Sequence, residues 1–145
     1  MLHDPHKIPE PILVASGLTY IIPCYLAFQN NRTYDATTYL FLTFTTVGFH
    51  GTRNEILFAL DCIAILNFLA RHLYLFKKVS YTAQAIYIAS VIYSLTTYFV
   101  GQQYKTMSFD PDWNIQMFYH SLMHLTTSYS SYVFMYELTN PLEIT

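Results

Sequence analysis

Four stretches of this chain run without an Asp, Glu, Lys or Arg for 21 residues (Pro11 to Asn31), 17 (Ala36 to Thr52), 21 (Ala83 to Gln103) and 24 (Trp113 to Tyr136). A fifth, Ile56 to Phe76, is apolar except for Asp61 and the Arg71–His72 pair. A helix needs about 20 residues, within a range of roughly 17 to 25, to cross the hydrocarbon of a bilayer. Backbone groups in lipid must find partners within their own segment, so runs of this kind predict helices. The apolar residues come in blocks rather than alternating, which argues against a membrane barrel. The expected fold is therefore all-α, a polytopic transmembrane helical bundle of about five spans filling residues 1–145 as one domain.

Composition supports that expectation. Only 11% of the residues are charged, against about 25% in a soluble domain, and a soluble globule of this size could not cover its surface with so few. A net charge of −2 and scattered basic residues offer no phosphate-binding patch, so no nucleic acid is expected as a partner. Cys24 and Cys62 form neither a CxxC pair nor a disulfide framework and read as small core residues. The N-terminal ten residues lack a basic region followed by a short apolar core and cleavage site, so the first span is expected to be retained as an anchor. The chain reads as a multi-pass integral membrane protein, with the lipid bilayer as its surroundings.

Helices are expected at about 11–29, 36–53, 54–76, 81–102 and 113–138, with Pro23 kinking the first. Asn30 to Asp35, the tight Gly51-Thr52-Arg53-Asn54, Lys77 to Ser80 and Lys105 to Asp112 connect them. Residues three and four apart share a helix face. Thr43, Thr46 and His50 form such a stripe in the second helix, preceded by Tyr39. Gln116, His120, His124, Thr127 and Ser131 form one in the fifth. Polar stripes of this kind turn toward other helices or a wet cavity rather than toward lipid. Ser90, Ser94, Thr97 and Gly101 repeat the pattern in the fourth helix without a titratable group, and read as close packing.

The groups able to do chemistry inside spans are Asp61, His50, His120 and His124. His120 and His124, four apart, can address one ion from one helix face, and three protein ligands plus an open position make the usual catalytic zinc arrangement. His50 is the natural third ligand. Its helix ends at the second loop, and Asp61 lies about two turns into the next helix. His120 and His124 lie two to three turns into the fifth, at 3.6 residues per turn. With five spans the second and fourth loops share a side, so all four residues fall in one membrane half. A plainer reading pairs Asp61 with Arg53 or Arg71 and leaves the histidines to packing. His3, His6 and His72 read as tail or interfacial residues, and Trp113 with the many tyrosines as interfacial anchors and core.

Thr-Thr-Val-Gly-Phe-His-Gly-Thr (45–52), Asp61, and His-Ser-Leu-Met-His (120–124) together resemble the signature of the CREST membrane hydrolases. That superfamily includes the alkaline ceramidases, the adiponectin- and progestin-receptor group and the myomaker-like proteins. Its pattern is SxxxH at the end of the second core helix, Asp in the third and HxxxH in the last. Phe49-His50-Gly51-Thr52 resembles the Phe-His-Ala-Thr of ceramidases. The resemblance implies that His50, His120 and His124 hold Zn²⁺, while Asp61 and Thr46 position the attacking water. It also implies that the substrate is a membrane lipid amide such as a ceramide, entering sideways from the bilayer. The ion would lower the pKa of water to about 7 and polarise the amide carbonyl. Thr46 stands where the family usually has Ser, and the family core has seven helices against the five counted here. Association of two chains into a homo-oligomer would be one way to replace the missing pair.

Two readings compete with a hydrolase. Thr45-Thr-Val-Gly-Phe49 also resembles a potassium-channel filter, whose carbonyls would line a pore in a tetramer, although His50 occupies a position where that filter needs Gly. A non-catalytic membrane scaffold or receptor would keep the same residues without turnover.

Overall fold

The four charge-free runs and the largely apolar fifth stretch fold as five long helices in the computed structural model, which describes residues 10–140. They are α1 (Pro11–Gln29), α2 (Thr33–Thr52), α3 (Glu55–Lys78), α4 (Tyr81–Tyr104) and α5 (Trp113–Thr139), with no strand among the described residues. Three of them, α1, α3 and α4, are long and apolar enough to cross a membrane. The other two, of 20 and 27 residues, are long enough but carry the polar stripes. His3 and His6 lie outside the described residues.

Local chemistry sets the helix ends. Asn54 caps α3 through the Ile56 and Leu57 amides, Ser80 caps α4 through Ala83, and Asp112 caps α5 through Asn114 and Ile115. Each is a short polar side chain satisfying donors that a helix start leaves open. Pro11 opens α1, and Pro23 supplies no N–H to its preceding turn; the helix tightens to 3₁₀ geometry over Leu18–Tyr20 just before it,. Two connections are shorter than expected. Lys77 and Lys78 continue α3 as a 3₁₀ turn rather than forming a loop, and α2 begins at Thr33. The fourth helix contains a π turn over Thr96–Val100, which hydropathy alone does not announce. Thr45 to Phe49 lie inside the continuous helix α2, where carbonyls point along the axis toward helical partners rather than into a pore.

In space the helices follow the order α3–α2–α1–α5–α4, with α1 packed on both α2 and α5. At their connected ends α3 and α4 close together, where the His72 ring stacks on Tyr87 at 4.9 Å and the Ser80 hydroxyl donates to Glu137 at 2.7 Å. Tyr39, Phe68, Leu75, Ala83, Tyr87, Phe134 and Met135 make the apolar core there.

The distribution of polarity is inverted relative to a water-soluble protein. Thr45, Ser130 and Ser131 are 0% exposed, whereas Phe28 is 71% and Leu73 74% exposed. Buried hydroxyls satisfy themselves on carbonyls a turn back, as Thr43 does on Tyr39 and Ser131 on Thr127,. Such helices pack through small polar residues and turn large apolar ones outward, as a lipid solvent favours. The Ser90 stripe behaves as the sequence suggests, its Oγ meeting Ser130 Oγ at 2.9 Å. Two expectations need correction. Cys62 is exposed and only Cys24 is half-buried, donating to the Ala36 carbonyl at 3.3 Å. His72 is not interfacial but 1% exposed, because the 3₁₀ turn carries α3 beyond it.

Candidate metal centre

The tight Arg53–Asn54 turn returns the chain from α2 into α3, and the Asp112 cap starts α5 at the same end of the bundle. His50, in the last turn of α2, thereby comes level with His120 and His124, two and three turns into α5. The ring centroids are 4.9 Å apart for His50–His120, 5.3 Å for His50–His124 and 5.1 Å for His120–His124. One ring nitrogen from each lies within 4.8 Å of the other two. His50 is 1% and His124 8% exposed.

These separations fit a single ion. A ring nitrogen bound at about 2.0–2.1 Å carries its centroid about 3.2 Å from the metal, so tetrahedral ligands hold their centroids about 5.2 Å apart. The three observed spacings bracket that figure. The rings are crossed rather than stacked, at 86°, 59° and 68°.

Hydrogen bonds at the outer nitrogens favour the same use. His50 Nδ1 lies 2.9 Å from Glu10 Oε2, and an ionised carboxylate only accepts. Nδ1 therefore faces the acid as the donor, and the tautomer that meets this bond with a single ring proton leaves the Nε2 lone pair for a ligand,. Ser16 Oγ donates to the Leu13 carbonyl at 3.1 Å and lies 2.9 Å from His124 Nδ1. With that hydrogen on Leu13, the tautomer of His124 that donates from Nδ1 to Ser16 Oγ leaves Nε2 free as well. Histidines whose outer nitrogen is so engaged are the usual form of metal-binding imidazole.

Asp61, 8% exposed, sits two turns into α3 with its carboxylate against α2. Thr46 Oγ1 donates to Asp61 Oδ1 at 2.7 Å, and Thr45 Oγ1 lies 2.9 Å from the same oxygen. The Thr45 hydroxyl also has the Phe41 and Leu42 carbonyls in reach, each at 3.1 Å, and has one hydrogen for the three. Thr46 stands one helical turn before His50, so the acid and the histidines adjoin along one face of α2. Neither arginine takes the acid: Arg53 pairs with Glu10 at 2.5 Å and Arg71 with Asp35 at 2.5 Å. Tyr20 of α1 lies beside the cluster, its hydroxyl bonded to Thr127 and its ring 6.3 Å from that of His124.

All three histidines singled out in the sequence thus come together, and Asp61 and Thr46 are bonded to each other. Glu10 and Ser16 are the residues the sequence did not reveal. A rule that every buried imidazole needs a partner would have prompted a search for them. Compared with family models, curated proteins and solved structures, the chain matches none.

Proposed function

We propose that this chain is a multi-pass membrane hydrolase that holds one Zn²⁺ on His50, His120 and His124 and cleaves a lipid amide, of which ceramide is the type, in the manner of the CREST hydrolases it resembles. The observation supporting it is the convergence of three crossed imidazoles at the spacing a tetrahedral ion requires. When bound, zinc would polarise the amide carbonyl and make water acidic enough to attack at neutral pH.

The chain's own residues supply the rest. Asp61 is the general base: its carboxylate takes a proton from the attacking water and returns it to the departing amine nitrogen. The Thr46 hydroxyl holds Oδ1, which leaves Oδ2 to meet that water. Tyr20 and Ser16 seal the side toward α1, so that the amide approaches from the bilayer. The filter reading has no such support, since the TTVGF segment is helical throughout.

Metal content of detergent-purified protein tests the reading, with wild type beside His120→Ala/His124→Ala. About one zinc per wild-type chain, lost in the double variant, is the result expected of a three-ligand site. Protein free of zinc after chelator-free purification sinks it. A zinc-bound wild type that cleaves no lipid amide, ceramide included, keeps the metal centre but makes it a scaffold or receptor.

A further inference from the structure

Glu10 stands immediately before Pro11, and a residue in that place is confined to extended backbone; its φ and ψ are −110° and 83°. That conformation lays Glu10 across the end of α2, with its N–H donating to the His50 carbonyl at 3.0 Å. Its carboxylate then serves two partners. Oε2 accepts His50 Nδ1–H at 2.9 Å, and Oε1 accepts Arg53 Nη2 at 2.5 Å. The acid is 3% exposed. Arg53 reaches it from a left-handed backbone, φ 55°, which a non-glycine residue adopts at a cost of about 1 kcal/mol or more and keeps only when its surroundings fix it,.

We infer that Glu10 is a positioning residue for the metal centre, setting the His50 tautomer so that Nε2 faces the ion, while Arg53 occupies the other carboxylate oxygen. This rests on the zinc reading above. The roles of the two oxygens are not interchangeable. A buried carboxylate fixes the proton on Nδ1 and strengthens Nε2 as a ligand. An amide at position 10 would be forced by Arg53 to turn its oxygen toward the guanidinium and its NH₂ toward the imidazole. An NH₂ facing Nδ1 needs a lone pair there, which moves the ring proton to Nε2, where the metal belongs.

The test uses the full chain in detergent, with zinc affinity measured by chelator competition and thermal stability measured in parallel. Glu10→Gln is expected to bind zinc about 10- to 100-fold more weakly. Arg53→Gln keeps wild-type affinity within about threefold, because the Glu10–His50 bond survives it. The double variant Glu10→Gln/Arg53→Gln recovers about tenfold of the loss, since the amide is then free to turn its oxygen to Nδ1–H. A purely structural clamp would make the two single variants lose affinity together, in step with stability, and that result overturns the inference. Unchanged zinc binding in Glu10→Gln overturns it too while leaving the zinc reading intact. Wild type without zinc overturns both. Should Glu10→Gln fail to fold, ¹⁵N spectra of histidine-labelled, zinc-loaded wild type decide: Nδ1 of His50 protonated supports the assignment, metal on Nδ1 refutes it.

Discussion

Helix α3 carries a buried acid near one end and a buried histidine near the other, and the two ends are built differently. At the far end the buried histidine and the acid beside it are both closed on the protein. His72 Nδ1 donates to the Phe68 carbonyl at 3.0 Å, Nε2 accepts from Tyr39 Oη at 2.9 Å, and the ring lies 8° from parallel with Tyr87. Asp35 is held between Arg32 at 2.8 Å and Arg71 at 2.5 Å. At the near end, His50 and His124 spend one nitrogen each on Glu10 and Ser16 and turn the other toward a shared centre. Asp61 meets two hydroxyls there, and none of the ion pairs among the described residues reaches it. A saturated network fixes a fold. One that leaves lone pairs aimed at a common point has room for a cation.

The largest expected effect separates the two clusters by metal. His120→Ala/His124→Ala removes two of three ligands and is expected to weaken zinc binding well beyond the ~10- to 100-fold that outer residues command. His72→Phe, by contrast, leaves zinc affinity at the wild-type value in the same chelator competition. A His72 variant that loses zinc as the double variant does would erase the distinction between the ends.

Next in size is a contrast of acids. Asp61→Asn keeps the Thr46 contact but loses the base, so lipid-amide turnover falls by about 10²–10⁴ while zinc stays bound. Asp35→Asn leaves two guanidinium groups facing a neutral amide. Breaking a buried pair costs about 3–5 kcal/mol; with Arg32 and Arg71 side chains 24% and 22% exposed, solvent screening reduces that to about 2–3 kcal/mol. Its signature is a lower unfolding temperature with zinc affinity and turnover per folded molecule preserved. Loss of turnover without loss of stability in Asp35→Asn would mean that the far end takes part in the chemistry.

How much of this the sequence disclosed follows from which contacts are periodic. Four charge-free runs and one largely apolar stretch, with Asn54, Ser80 and Asp112 at helix starts, announce five helices, because length and caps are local properties,. His120 and His124 share a face by spacing, and the parity of the spans brings His50 to their level. Partners far apart in sequence leave no such trace. Glu10 and His50 are 40 residues apart and Ser16 and His124 are 108 apart, and Glu10, flanked by prolines, reads as part of a polar tail. His72 misleads for the opposite reason: beside Arg71 and shortly before two lysines it looks interfacial, until the 3₁₀ turn to Lys78 places it in the core. The π turn of α4 over Thr96–Val100 has no signature in hydrophobic periodicity.

The smallest effect probes the open end most finely. Gly17 of α1 faces Thr46, and a Cβ added there would stand 2.9 Å from Thr46 Cγ2. Thr46 has little freedom to yield, because a β-branched side chain in a helix is stiff about χ1 and its hydroxyl is committed to Asp61 at 2.7 Å,. Gly17→Ala is therefore expected to cost about 1 kcal/mol by overpacking, and to lower turnover by several-fold as Thr46 is pushed off Asp61, with zinc content unchanged. Thr46→Ser removes the offending methyl and keeps the hydroxyl, so the double variant Gly17→Ala/Thr46→Ser regains both stability and rate. A cycle in which the two substitutions merely add their effects would place the strain elsewhere, and would remove Thr46 as the link between the helix contact and the acid.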